Sequence, residues 1–206
     1  MNLASELQQG VSALGLNVSP AHLQRLLDYL ALLQKWNKVY NLTALREPEK
    51  MVSQHLLDSL AVVPHIEARQ ILDVGSGAGL PGIPMAIARS DWRLTLLDSS
   101  HKKAAFLKQA AIELKLSNVT VCCERVESWV PERKFELIIS RAFSDLADFV
   151  TMSKHLLGEG GTFAAMKGIY PHEEIAQLPS GYRLERIISL KIPGHKAQRH
   201  LAMVKA

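Results

Sequence analysis

Two hydrophobic periods divide the chain. Through residues 1–66 apolar positions recur at helical spacing, with Leu23, Leu26, Leu27, Leu30 and Leu33 forming one stripe. Ser19-Pro20 opens that stripe as an N-cap followed by proline at the first helical position. Pro48 opens a further helix, with Met51, Val52, Leu56 and Leu60 as its apolar side. Beyond residue 69 the pattern shortens to strand-like runs at 70–74, 93–98, 118–123, 135–140 and 161–166. Helix-like stretches at 81–89, 101–115, 144–157 and 171–178 separate them. Such alternation predicts right-handed crossovers and a parallel sheet. The last two runs, 183–192 and 199–205, are joined by PGHKAQ, which is too short for a helical crossover, so they should pair antiparallel. The expected fold is α/β and Rossmann-like: a mostly parallel seven-stranded sheet with an antiparallel last strand. Residues 67–206 would form that core, and residues 1–66 a helical extension packed on it.

The first strand runs into a glycine loop, ILDVGSGAGLPGIP over residues 71–84, with Gly75, Gly77 and Gly79 at alternate positions. A phosphate-binding P-loop is excluded, because the Lys-Ser/Thr pair it requires is missing. The dinucleotide pattern G-x-G-x-x-G fails from Gly75, where Leu80 takes the third position, but matches from Gly77 through Gly79 to Gly82. Spacing alone therefore leaves a nicotinamide dinucleotide open. Charge argues against it. Asp73 precedes the turn, and Pro81 and Pro84 remove N–H donors that a pyrophosphate would use. S-adenosylmethionine carries an ammonium and a sulfonium and no phosphate, and a carboxylate at the strand end suits both. Asp98, ending the second strand, is placed to accept from ribose hydroxyls, a need both cofactors share. Its other reading is a cap for the following helix.

Ligands of open α/β sheets bind beyond the carboxyl ends of the strands. Read in order, those ends carry Asp73, then Asp98, then Arg125, Arg141 and Lys167, and the last hairpin adds His195, Lys196, Arg199 and His200. Acidic ends followed by basic ones suit a cationic cofactor beside an anionic substrate. The formal charge of +4 allows such a substrate without requiring it. Arginine and lysine at these places could grip phosphates or pair with a base.

Several chemistries find no residues. No Asn-Pro-Pro-Tyr-like element follows the fourth strand, and no Pro-Cys nucleophile is present. Cys122 and Cys123 are adjacent, with neither disulfide geometry nor metal-ligand spacing, so no metal is expected. No rim residue reads as a general base. A substrate with a ready lone pair, such as guanine N7, fits best, and catalysis would rest on positioning and charge. His55 and Asp58, at i and i+3, read as a local pair orienting their helix. Trp36 and Tyr40, an aromatic pair at i and i+4, read as core packing against the sheet, with base stacking as the other reading, and Asn41 as a turn residue closing a helix.

The segments KWNKVYNLTALRE, QHLLDSL, ILDVGSGAGLPGIP, LLDS, RVE, ISRAF, MKG and RHL together resemble the RsmG (GidB) family of bacterial small-subunit ribosomal RNA guanine-N7 methyltransferases, along nearly the whole chain. The resemblance implies a class I S-adenosylmethionine-dependent methyltransferase that modifies one guanine, guanine 527, near the decoding region of 16S ribosomal RNA. It implies cofactor contacts at Gly75, Leu80, Val126, Glu127 and Arg141, to which the reading of the residues adds Asp73, Gly77 and Asp98. It also implies a reaction cleft lined by Asn41, His55, Asp58, Arg125, Lys167 and Arg199.

Three other classes remain open on the residues alone: a methyltransferase for a small molecule or protein, a nicotinamide-dependent oxidoreductase, and an RNA-binding module without catalysis. The expected partner is 16S ribosomal RNA, the small subunit or its assembly intermediate. Neither a secretory signal nor a membrane span is apparent, so a cytoplasmic protein is expected, and docking on a far larger partner makes a monomer the expectation.

Overall fold

The computed structural model describes residues 2–141, 143 and 145–206. The helical segment comprises α1 (Leu3–Ala13), α2 (Pro20–Tyr40), α3 (Pro48–Met51) and α4 (Asp58–Leu60). Between α3 and α4, Val52–Leu57 is wound as a π-helix, a wider turn that sequence periodicity does not reveal. α2 begins as its sequence dictates: Ser19 Oγ accepts from the His22 backbone N–H at 3.2 Å, and Pro20 occupies the first turn. It ends at Asn41, whose left-handed φ of 49° closes the helix.

The sheet contains β1 (Gln70–Val74), β2 (Arg93–Leu97), β3 (Val119–Cys122), β4 (Phe135–Ser140), β5 (Leu157–Lys167), β6 (Arg183–Ser189) and β7 (His200–Lys205). Their spatial order is β3-β2-β1-β4-β5-β7-β6. β7 lies antiparallel between β5 and β6, whereas the β1, β2, β3, β4 and β5 pairings are parallel. The crossovers carry α5 (Gly82–Ala88), α6 (His101–Glu113), α7 (Leu146–Ser153) and α8 (His172–Ala176).

Side chains alternate across each strand, so the sheet buries both faces. Ile71, Leu94, Leu96, Leu137, Ile139, Met166 and Leu201 belong to one apolar cluster, which also holds Leu7, Leu26, Leu30 and Leu33 of the N-terminal helices. Leu72, Val74, Ile138, Phe163, Ala202 and Val204 face the other, against Phe149 and Val150 of α7. The N-terminal helices thus contribute to the same core as the sheet. The bond from the buried Tyr29 hydroxyl to the Ala78 carbonyl, 2.6 Å, ties α2 to the glycine loop, and burial raises that phenol's pKa.

Most of the expected elements occur within a few residues of their places. One boundary differs. The helix expected over 144–157 is α-helical only over Leu146–Ser153, and the following strand starts at Leu157 rather than 161. Gly158, Gly160 and Gly161 hide that strand start, because glycine carries no strand signal, and the register shift between Phe135 and Leu137 falls opposite them.

Trp36 is half-buried and packs edge-on against Phe106 of α6 at 5.6 Å, a helix rather than the expected sheet, and Tyr40 remains 40% exposed. Both cysteines are free. Among the described residues no helix is long and apolar enough to cross a membrane, and no three His, Cys, Asp or Glu side chains gather as metal ligands.

Candidate active site

Two neighbouring depressions open along the carboxyl ends of the strands. The first, of about 360 Å³, is lined by residues that include Val74, Gly75, Asp98, Val126, Glu127 and Phe143. Gly75 has φ of 69°, and no atom lies within 4 Å of where a Cβ would stand, so its backbone faces open space. Asp98 is 6% exposed. Its Oδ2 accepts from the Gly77 N–H and its Oδ1 from the Ser100 N–H, each at 2.9 Å. The carboxylate therefore ties the glycine loop to the residue before α6 and lines the pocket, while the cap position of that helix is Ser100, without a side-chain cap bond. Two lone pairs on each oxygen leave it able to accept further hydroxyl donors.

Asp73 takes a different place from the one its strand position suggested. It is fully buried, and its Oδ2 accepts from the Gly82 N–H at 3.0 Å. Burial pushes its pKa up to about 7, and the Gly82 N–H partly offsets that rise. Gly82 explains the close approach, because a Cβ there would strike Leu96 and stand 2.7 Å from Asp73 Oδ2. The carboxylate therefore braces the turn from beneath, and its effect on a ligand would pass through the loop. Leu80 is likewise buried, in the apolar cluster under the loop, and Gly77 spends its N–H on Asp98.

The second depression, of about 300 Å³, is lined by Gln54, His55, Asp58, Arg141, Met166, Lys167, Gly168 and Arg199. Asp58, on α4, is 2% exposed. Its Oδ1 accepts from Arg199 Nε at 3.1 Å, and its Oδ2 from an Arg141 guanidinium nitrogen at 3.4 Å. One buried carboxylate therefore fixes two guanidiniums, from the end of β4 and the start of β7. Lys167 Nζ lies 2.6 Å from Glu174 Oε2, which also accepts from the Leu146 N–H at 2.8 Å.

His55 completes the wall. Its Nδ1 faces the Gln54 carbonyl at 3.1 Å, which can only accept, so Nδ1 donates. Nε2 then accepts from Thr43 Oγ1 at 3.0 Å. The same Gln54 carbonyl accepts from Arg141 at 3.3 Å. Burial, reinforced by the Arg141 charge, pushes the His55 pKa down to about 4, so the ring is neutral at pH 7.

The expected residues thus divide. His55, Asp58, Arg141, Lys167 and Arg199 meet in one cleft. Arg125 stands at the other depression, largely exposed and paired with Glu127 at 3.3 Å. Asn41 is exposed at the end of α2 and holds Arg46 at 2.8 Å, outside the residues lining either depression. Its left-handed backbone serves the helix end, and Thr43, two positions on, bonds His55 of the cleft. His55 and Asp58 bond separate partners: His55 meets Thr43 and Gln54, and Asp58 the two arginines. Glu174 and Thr43 were not legible as site residues.

Comparison with known proteins places this arrangement. The family model GidB, described as rRNA small subunit methyltransferase G, matches residues 22–202. The ribosomal RNA small subunit methyltransferase G of Laribacter hongkongensis is 59% identical over 201 residues, covering 98% of this chain and 97% of its own. That of Nitrosospira multiformis is 56% identical over 212 residues, covering 100% and 98%. A SAM-dependent methyltransferase from Aquifex aeolicus superposes with a TM-score of 0.58 at 18% identity, over 83% of this chain and 97% of that one. The tRNA (uracil-54, C5)-methyltransferase of Pyrococcus abyssi, solved with S-adenosyl-L-homocysteine, gives 0.54 at 17% identity over 71% and 37%. At such identities these two likenesses show the fold.

Proposed function

We propose, from the premise that the chain belongs to the GidB family, rRNA small subunit methyltransferase G, that it transfers a methyl group from S-adenosylmethionine to N7 of a single guanine of 16S ribosomal RNA. The observation that carries this reading is the content of the cleft. Three cations, Arg141, Lys167 and Arg199, line it, and each titratable group that could act as a base is already engaged. Asp58 holds two arginines, Glu174 holds Lys167, and His55 bonds Thr43 and Gln54. Guanine N7 presents a lone pair and needs no deprotonation, so a cleft of this kind suffices for it.

The first depression fits the methyl donor. Gly75 allows close backbone approach, Asp98 offers a carboxylate for ribose hydroxyls, and Val126, Phe143 and Met152 supply apolar wall for a base. S-adenosylmethionine, when bound there, supplies an electrophilic methyl group on its sulfonium.

The chain's own residues position the RNA. Arg141 and Arg199 are pre-oriented by Asp58, so neither must be ordered when the RNA arrives. Their planar forks suit phosphate oxygens or guanine O6. The positive charge that methylation leaves on the guanine ring must be tolerated, and Asp58 and Glu174 temper the three cations around it.

The direct test incubates the pure protein with methyl-labelled S-adenosylmethionine and ribosomal RNA from cells lacking the gene, naked and in small subunits. Borohydride and aniline then cleave at 7-methylguanine. One new cut in 16S RNA is expected. Absence of label in any RNA, with S-adenosylhomocysteine still bound, would overturn the RNA assignment and favour a small-molecule acceptor.

A further inference from the structure

Among the described residues, six large apolar or aromatic side chains stand exposed: Val39, Tyr40, Ile112, Val130, Ile169 and Tyr170. Ile112 and Val130 are isolated along the chain. The others form two adjacent pairs, and both connect to the cationic cleft. Val39-Tyr40 ends α2 just before the turn whose Thr43 bonds His55. Ile169-Tyr170 directly follows Lys167-Gly168, two of the cleft's lining residues.

The second pair is held in a defined arrangement. The Tyr170 ring lies over that of His172, with centroids 4.1 Å apart and planes 33° apart. It meets His200 edge-on at 5.7 Å and 75°. His200 is buried and sits opposite Lys167 in the β5–β7 register. Gly168, where the segment leaves the sheet, would place a Cβ 3.6 Å from an Arg199 guanidinium nitrogen. Tyr170 is therefore supported by other rings and still 36% exposed, with Ile169 beside it 77% exposed.

An exposed aromatic surface could take an apolar peptide, a lipid or a nucleobase. The neighbouring charge decides between them. Arg141, Lys167 and Arg199 outnumber Asp58 and Glu174, the two carboxylates that hold them, so the cleft beside the ring keeps a net positive charge, and a nucleotide joins a phosphate to a flat π-face at that spacing. We propose that Tyr170 is a stacking platform for an unpaired nucleobase of the RNA substrate, beside the reacting guanine. This rests on the RNA reading given above and adds the surface through which flanking sequence is held.

The test uses the full chain with 16S RNA and small subunits from cells lacking the gene, separating KM for RNA from kcat, and measures S-adenosylhomocysteine affinity by calorimetry. Stacking is worth about 1–3 kcal/mol per base, so Tyr170→Ala should raise KM for RNA about 5- to 150-fold. S-adenosylhomocysteine affinity should not move. Tyr170→Phe and Tyr170→Trp, which keep a π-face, should return KM to within about threefold of the unaltered protein, and Ile112→Ala should have no effect. An unchanged KM in Tyr170→Ala, while the unaltered protein methylates RNA, overturns the platform and leaves the RNA reading standing. So does a Tyr170→Phe defect as large as that of alanine, which would assign the contact to the hydroxyl, or a parallel loss of cofactor affinity, which would make the role structural. If the unaltered protein neither binds nor methylates RNA, both proposals fall together.

Discussion

Asp58 and Arg199 are 141 positions apart in the chain and meet at 3.1 Å, carboxylate Oδ1 accepting from Nε. The carboxylate is nearly inaccessible to water, and it also holds Arg141. A buried acid between two guanidiniums is costly to break, because removing it leaves two uncompensated positive groups facing each other. Its place is on α4, in the helical segment, whereas the arginines flank the sheet, Arg141 just after β4 and Arg199 just before β7. The N-terminal helices therefore complete the cleft as well as the core.

Asp58→Asn tests that arrangement. The amide keeps one acceptor and loses the charge. We expect methyl transfer to small subunits to fall by about 100-fold or more, with stability lower by about 3 kcal/mol. S-adenosylhomocysteine affinity should change less than about threefold, since Asp58 does not line the cofactor depression. A calorimetric loss of cofactor binding as large as the loss of activity would show that Asp58 acts on the cofactor and not on the RNA cations.

The strands, the crossover helices and the final hairpin were legible because their apolar periods are set by the two buried faces of the sheet. The partners of Asp58 were not. Helical spacing pairs His55 with Asp58, and both do line the cleft, but each bonds a group from elsewhere in the chain. Their partners come from β4, β7 and the turn after α2, and no local pattern encodes such contacts. Asp73 misled for a related reason: its position at a strand end implied the cleft, while the absent side chain of Gly82 lets the carboxylate lie under the loop. Nothing in the local pattern marks Glu174, although its carboxylate joins Lys167 to the start of α7.

Glu174→Gln should reveal what that contact does to Lys167. The amide oxygen can still accept from the Leu146 N–H, while the lysine loses its counter-charge. A neutralised lysine releases no counterion when RNA binds, and a freed one does. The slope of log binding constant against log salt should steepen by about 0.7 for single-stranded RNA. Filter binding at several salt concentrations measures it, and an identical slope would mean that Lys167 does not meet a phosphate.

Asp98 makes a prediction confined to the cofactor. Asp98→Ala removes the acceptor for both the Gly77 and Ser100 N–H groups and the acceptor offered to a ribose. S-adenosylhomocysteine affinity should drop by about 100-fold or more, the cost of two to three lost charge-assisted bonds. RNA affinity without cofactor should stay within about threefold, because Asp98 lies outside the cationic cleft. Calorimetry with each ligand separates the two, and cofactor affinity that survives the substitution would remove Asp98 from the site.

Two buried groups should set opposing pH dependences of stability. His55 has its pKa pushed down to about 4 from an ordinary 6.5, first by burial and then by Arg141. Between those values the unfolded chain binds the proton and the folded one does not, so stability is lost as pH falls through that window. Asp73 has its pKa pushed up to about 7 from 3.8, by burial. Between those values the folded chain binds the proton more tightly, so stability is lost as pH rises. Each shift corresponds to about 3–4 kcal/mol over its full window, at 1.36 kcal/mol per unit. In the unaltered protein the two largely cancel between pH 4 and 6.5. Asp73→Asn, whose amide oxygen can still accept from Gly82, removes one of them and should make acid destabilisation steeper by up to about 3 kcal/mol over that interval. His55→Gln should do the reverse, leaving a protein that gains stability relative to the unaltered one as pH falls from 6.5 to 4. Urea unfolding at half-unit pH intervals measures both slopes. If the two variants parallel the unaltered protein, the proton inventories assigned to His55 and Asp73 are wrong.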